Sequence, residues 1–223
     1  MTFDLELGPL DLVSPIVRGR GFVSIKNGII AAMTQEKLGM AREYINTDGL
    51  IALPGMVDEH VHFMDPGETE REDFIHGSSA AAVGGVTTVI EHTHSHPIRS
   101  VKALEEKRSY LRDRSLVDFG LAAHMWPEDI PGIAALWQAG VMFFKVFTAS
   151  THGVPGLTND ELFQAFTHMH EVGARTLVHC EDESILSGNR NRLLQEQRMD
   201  NAVILSWRTR EAEQMAALAT AYL

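Results

Sequence analysis

The chain has 223 residues, of which 44% are hydrophobic and 22% charged, a balance that excludes a disordered polymer and suits one sizeable domain with or without a small appendage. Its net charge of −11 is spread without a basic stripe, which argues against nucleic acid or an acidic membrane surface and favours a small molecule as partner. No apolar run approaches the ~20 residues of a membrane span, and Met1-Thr2-Phe3-Asp4-Leu5-Glu6 lacks the features of a signal peptide, so a cytoplasmic protein is expected.

Residues 1–52 read as short strands with turn punctuation. Phe22-Val23-Ser24-Ile25 alternates, Lys26-Asn27-Gly28 turns, Ile29-Ile30-Ala31-Ala32 follows, and Asp48-Gly49 turns again. This is the pattern of part of a small β-unit, and it carries no plausible chemistry.

From residue 53 onward strands alternate with helices. The expected strands are Met56–Val61, Val86–Glu91, Asp118–Ala123, Val141–Phe147 and Arg175–His179. Helices are expected over Asp73–Val83, Ile98–Arg114 and Gly132–Gln138. Another is capped by Thr158 or Asn159 and stopped by Gly173, and a last one runs from about Ser206 to Tyr222. Five βα units in a row mean a parallel sheet, doubly wound or closed into a barrel.

Reactive groups in such folds sit at the C-terminal ends of strands. His60 and His62, spaced i, i+2, point the same way at the end of the first strand, and His179 closes the fifth. Asp58 shares the His60/His62 face by period two, where it could support those histidines or serve packing alone. Lys145 shares a face with Val141, Phe143 and Phe147, where its ammonium would be partly desolvated. Such a lysine either snorkels at the strand end or, neutral, adds carbon dioxide to give a carbamate able to bridge two metal ions. The single cysteine, Cys180, excludes an internal disulfide and any Cys-rich zinc module, so a metal here would rest on nitrogen and oxygen.

The row His92, His94 and His96 lies on one face by period two, as a proton relay, a substrate contact, an extra metal site or a structural or merely solvated row, with substrate contact the favoured role. His124 and His152 stand where they could reach the same pocket, whereas His76, His168 and His170 fall in helices and read as solvated surface. Cys180 has no evident base beside it and reads as packing.

The run from Gly49 through Leu53-Pro54-Gly55-Met56-Val57-Asp58-Glu59-His60-Val61-His62 resembles the cyclic amidohydrolases. It is followed by Asp65-Pro66-Gly67, Arg71-Glu72-Asp73-Phe74 and Ala80-Ala81-Ala82-Val83-Gly84-Gly85-Val86-Thr87-Thr88-Val89, which extend the match. These amidohydrolase-superfamily enzymes include allantoinase, dihydroorotase and hydantoinase or dihydropyrimidinase.

The resemblance implies an α/β fold: about five βα units of a (β/α)₈ TIM barrel over residues 53–223, preceded by part of a β-sandwich over 1–52. It implies two divalent metal ions, usually zinc. His60 and His62 would bind one ion, His179 the other, and an N6-carboxylated Lys145 would bridge them. It also implies a further histidine ligand and a catalytic aspartate after later strands. Neither is present before Leu223, so the chain is expected to be an N-terminal portion of a longer, homo-oligomeric enzyme, inactive by itself.

Substrate residues would be Met64, His94 and His96. In the resemblance Met64 stands where dihydroorotases carry an arginine for the substrate carboxylate, which argues against dihydroorotate, and Phe147-Thr148-Ala149-Ser150-Thr151 lacks the tyrosine of hydantoinases; the Asp65-Pro66-Gly67 block and the Lys145 strand lean toward an allantoinase-like ring-opening hydrolase. Dihydroorotase, hydantoinase or other amidohydrolase substrates, and a non-catalytic dihydropyrimidinase-like scaffold protein, are the alternatives.

Overall fold

The computed structural model describes residues 2–92 and 95–223. It divides into two compact units, Met1–Gly55 and Met56–Leu223.

The first unit is a single five-stranded sheet. Its strands are β1 (Phe3–Val13), β2 (Arg18–Lys26), β3 (Ile29–Thr34), β4 (Ala41–Asn46) and the two-residue β5 (Ile51–Ala52). The order is β3-β2-β1-β4, with β5 also on β1, and β4 and β5 run parallel to β1. The alternating segments Phe22–Ile25 and Ile29–Ala32 pair antiparallel across the Asn27-Gly28 turn, both residues of which have positive φ.

The second unit carries the alternation read from the sequence. Its elements are β6 (Met56–Val61), α1 (Phe74–Val83), β7 (Val86–Glu91), α2 (Val101–Leu111), β8 (Asp118–Leu121), β9 (Ala123–His124), α3 (Ile133–Gln138), β10 (Phe144–Phe147), α4 (Asn159–Val172) and β11 (Thr176–His179). Three helices follow: α5 (Glu183–Gln195), α6 (Val203–Trp207) and α7 (Arg210–Tyr222). β6-β7-β8 pair in parallel, as do β9-β10-β11. Only Ala122 separates β8 from β9, so the expected third strand serves both groups and five parallel strands form one arc of a barrel.

Two layers of apolar side chains follow from the period-two alternation. Outward-facing Val89, Leu121, Phe144 and Val146 pack with Phe74, Leu104, Leu136 and Leu162 from the helices. Inward-facing Ile90, Ala122 and Phe143, with Leu177 against them, form a second, smaller cluster. α4 starts with a capping box, Thr158 Oγ1 accepting from the Glu161 N–H while Glu161 accepts from the Thr158 N–H at 2.7 Å. It ends at Gly173, whose φ of 68° closes the last turn without a Cβ clash.

The expected strand Val141–Phe147 pairs only over Phe144–Phe147 and the expected helix Ile98–Arg114 spans Val101–Leu111, while the helices after β11 depart further from expectation. α5 is a full helix where none is expected, because Ser187-Gly188-Asn189 weakens the local signal. Tertiary contacts override it: Leu186 and Leu193 are buried, and the Asn189 side chain donates to the Trp207 carbonyl at 3.0 Å. The expected last helix is broken at Arg208, which leaves helical geometry with ψ 82° and so separates α6 from α7.

Beneath the end of β7, Lys107 of α2 meets Glu91 at 2.6 Å, the side chains only 6% and 0% exposed. Removing one partner of such a pair strands a buried charge. Lys107→Met is therefore expected to destabilise the protein by about 3–5 kcal/mol in urea denaturation, and Glu91→Leu/Lys107→Met to recover most of that loss.

Candidate metal centre

Parallel pairing brings the C-terminal ends of all five barrel strands together, and each carries a nitrogen base. β6 contributes His60 and leads to His62. His92 follows β7 directly, His124 ends β9, Lys145 lies within β10 and His179 ends β11. Register fixes the neighbours, with Lys145 opposite His124 on one side and Leu177 on the other, and Phe147 opposite His179.

β6 is irregular where it matters. Asp58 pairs with Val89 and Val61 with Glu91, so β6 holds one extra residue at Glu59-His60. This bulge interrupts the period-two relation between Asp58 and His60, and the Asp58 carboxylate instead accepts the His60 backbone N–H at 3.1 Å. Beyond it the rings of His60 and His62 stand 5.3 Å apart, and His92 joins both, its centroid 4.6 Å from His60 and 4.4 Å from His62. One potential ligand atom from each of the three lies within 4.8 Å of the others.

The remaining groups close the pocket. The Lys145 ammonium lies 5.2 Å from the centre of the Phe147 ring, which is 6.3 Å from that of His124 and 5.4 Å from that of His179. Lys145 and His124 are buried, and His60 is exposed. Of the residues expected to share the Lys145 face, Phe143 does, whereas Val141 packs in the outer cluster with Phe144 and Val146 because strand pairing begins only at Phe144.

His179 is held by a network absent from the sequence reading. Its Nε2 is 2.9 Å from Glu181 Oε2, an oxygen also bound by the Arg208 guanidinium. Since a carboxylate only accepts, Nε2 carries the proton and Nδ1 remains for another partner. Thr148 Oγ1 fixes this turn, donating to the Glu181 carbonyl at 2.8 Å and accepting its N–H at 2.7 Å. A carboxylate two residues beyond a strand-end histidine is a signal the sequence did hold; Arg208 gave none.

The expected row of three histidines does not form a single face. β7 ends at Glu91, so period two stops there; His92 turns inward, whereas His96 is exposed. His96 packs on Gly67, where a Cβ would come within 2.6 Å of its Nδ1. His94 lies outside the described residues. Met64 is half-buried with φ 49°, an uncommon conformation for a side chain of its size. It precedes Asp65, fully buried, whose carboxylate accepts from the Phe74 N–H at 3.0 Å and the Tyr110 hydroxyl at 2.8 Å, pinning the loop after His62. His76 is exposed and paired with Asp73, and His152 is an exposed loop residue with φ 52°.

Burial dominates the electrostatics. It lowers the Lys145 pKa below the usual lysine range. It also lowers that of His60, with the nearby Lys145 charge acting in the same direction. His92 is pushed down to about 2, first by burial and then by His62, Lys145, His60 and His124. His92 is thus kept neutral, as metal coordination requires, and burial favours the uncharged forms of Lys145 and His60.

The donor set also fits a cation in its hydrogen bonding. His92 is 1% exposed, and neither ring nitrogen has a hydrogen-bond partner among the described residues. Buried polar groups seldom stay unsatisfied without a reason such as an ion. Nitrogen donors with no thiolate suit zinc, manganese, iron or cobalt.

Parallel strands with imidazoles gathered at their C-terminal ends define the kind of barrel that builds its active site on that face. The chain belongs to the amidohydrolase family, whose model matches residues 51–199. It is 31% identical over 166 residues to a dihydroorotase of Methanosarcina acetivorans, covering 73% of this chain and 35% of that protein. To an allantoinase of Escherichia coli it is 34% identical over 172 residues, covering 73% of this chain and 38% of that protein. Among solved structures, the L-hydantoinase (dihydropyrimidinase) of Arthrobacter aurescens matches with a TM-score of 0.90 at 28% identity, over 98% of this chain and 49% of that one. The chain thus spans about a third to a half of the length of these relatives. Among the described residues no helix is long and apolar enough to cross a membrane.

A neutral His92 has a consequence for acid stability. On unfolding, its pKa returns from about 2 to the ordinary imidazole value of ~6.5, so the unfolded chain binds the extra proton between those limits. Stability is full above ~6.5 and is lost as pH falls below it. The metal-free protein is expected to lose about 2 kcal/mol from His92 alone between pH 7 and pH 5, read from urea midpoints, with His92→Phe flattening the slope.

Proposed function

We propose that the protein is a metal-dependent hydrolase that opens a cyclic amide ring, with an allantoin-like ureide as substrate. The observation that supports it best is the convergence of His60, His62, His92, Lys145 and His179 at one end of the parallel strands, around an imidazole with no hydrogen-bond partner among the described residues. The names of the relatives, dihydroorotase, allantoinase and hydantoinase, support a cyclic amide hydrolase without singling out one substrate.

In this reading His60 and His62 hold one divalent ion and His179 a second, zinc being the simplest choice, with Lys145 between them. Bound there, such ions supply Lewis acidity toward a ring carbonyl and a lowered pKa for a water molecule.

The chain's own residues prepare that chemistry. The neutral amine favoured by burial at Lys145 attacks carbon dioxide; an N–C bond forms, the nitrogen releases a proton, and an anionic carbamate results. That anion offsets the repulsion between two cations. Glu181 holds the His179 Nε2 proton, which presents Nδ1, and Arg208 on the same carboxylate keeps it an acceptor. Met64 offers no cation to a substrate carboxylate, which disfavours dihydroorotate. His94 and His96 are kept as the expected substrate contacts.

The test joins native mass spectrometry, metal analysis and a panel of allantoin, hydantoins, dihydropyrimidines and dihydroorotate. The wild-type protein is expected to carry a carbon dioxide adduct and about two ions per chain, and Lys145→Ala to lose the adduct and most of the metal; in a full-length enzyme containing this chain, allantoin is expected to be opened fastest. A metal-free protein with an unmodified Lys145 would sink the reading. Glu181→Gln is expected to weaken metal binding at His179 by ~10–100-fold with the fold intact, measured by zinc titration.

A further inference from the structure

We propose that His92 is a direct ligand of the cation held by His60 and His62, making that corner of the centre a three-imidazole site. This rests on the metal-centre reading above and extends it to a residue outside the ligand set carried by the family resemblance.

The geometry favours coordination over the two other roles open to this histidine. A packing histidine would satisfy at least one nitrogen locally, and neither His92 nitrogen has a partner among the described residues. A substrate contact would need access, yet the side chain is 1% exposed while His60 beside it is open to solvent. A single cation is small enough to reach such a ring from the His60 side.

Spacing agrees. Nitrogens bound tetrahedrally at ~2.0–2.1 Å from zinc lie ~3.3 Å apart. The three rings already bring one potential ligand atom each within 4.8 Å of the others, so modest ring rotations close the site.

The backbone under His92 is held in place. Its N–H donates to the Val61 carbonyl at 3.1 Å, tying it to the residue between His60 and His62. The preceding residue, Glu91, is anchored by Lys107. The Phe143 ring, centred 5.5 Å from that of His92, gives the imidazole an apolar wall. A ligand on a rigid strand end, walled from water, is the arrangement that keeps metal affinity high.

The test titrates metal-free protein with zinc and, separately, cobalt(II), comparing wild type with His92→Gln and His92→Phe. Both variants are expected to lose at least ~100-fold in affinity for the first equivalent, beyond the ~10–100-fold of residues that only orient a ligand, and the cobalt absorption bands of that equivalent are expected to shift. Circular dichroism checks that the variants fold. Should they not, long-range ¹H–¹⁵N spectra of the wild type answer the same question, since one ring nitrogen of His92 must shift with the first equivalent of zinc, together with those of His60 and His62. Near-wild-type affinity in the variants, or a His92 ring unmoved in those spectra, overturns the proposal and leaves the wider metal-centre reading standing. A wild-type protein that takes up neither metal overturns both.

Discussion

Parallel hydrogen bonding in a fixed register is the constraint on which the site depends. Val61, Glu91 and Leu121 lie in one row across β6, β7 and β8, and Lys145 faces His124 across β10 and β9. A residue that follows a strand in sequence therefore follows it in space at the same rim. His62 and His92 become neighbours because each is the next residue after a paired row, although thirty positions separate them in the chain. The bulge in β6 then lifts His60 over that rim, where a regular strand would have kept the Asp58 alternation running.

The resulting collection of bases is poor for stability. Lys145, His92 and His124 are all buried, and burial first, then the neighbouring charges, suppresses the charged forms of His60 and His92. An unsatisfied buried polar group costs about 1–3 kcal/mol, and a protein selected only for folding would replace it with leucine or phenylalanine, as the layer beneath does at Ile90 and Phe143. The abrupt change from an apolar layer to a layer of bases within two residues of each strand marks where packing gives way to chemistry.

How much of this was legible in the sequence follows from the range of each interaction. The five strands and the helices that end at Val83, Gln138 and Val172 were legible because their signals are local: period-two alternation, a capping box, a glycine stop. That His60, His62 and Lys145 come in or directly after strands was legible from their positions in the chain, but the bulge at Glu59-His60 that sets the faces of the first two was not. The inward turn of His92 was not, because it depends on β7 ending at Glu91. α5 was hidden by Ser187-Gly188-Asn189, whose weak propensity is outweighed by contacts to Trp207 and the core. Arg208 was invisible since it reaches Glu181 across 27 residues, through a helix break that no local residue announces.

The two sides of the centre are supported unequally, and this bears on how it can work. The His60–His62–His92 corner stands on buried anchors, the Glu91–Lys107 ion pair and the Asp65 carboxylate with its Phe74 and Tyr110 donors. Buried partners are screened little and hold their geometry at any ionic strength. His179 rests on a partly exposed pair, with Arg208 29% and Glu181 12% accessible, and the histidine itself 40%. Exposed ion pairs contribute little rigidity. The backbone beneath His62 and His92 is consequently the better anchored of the two sides, while the orientation of the His179 ring depends on the Glu181–Arg208 contact surviving solvent.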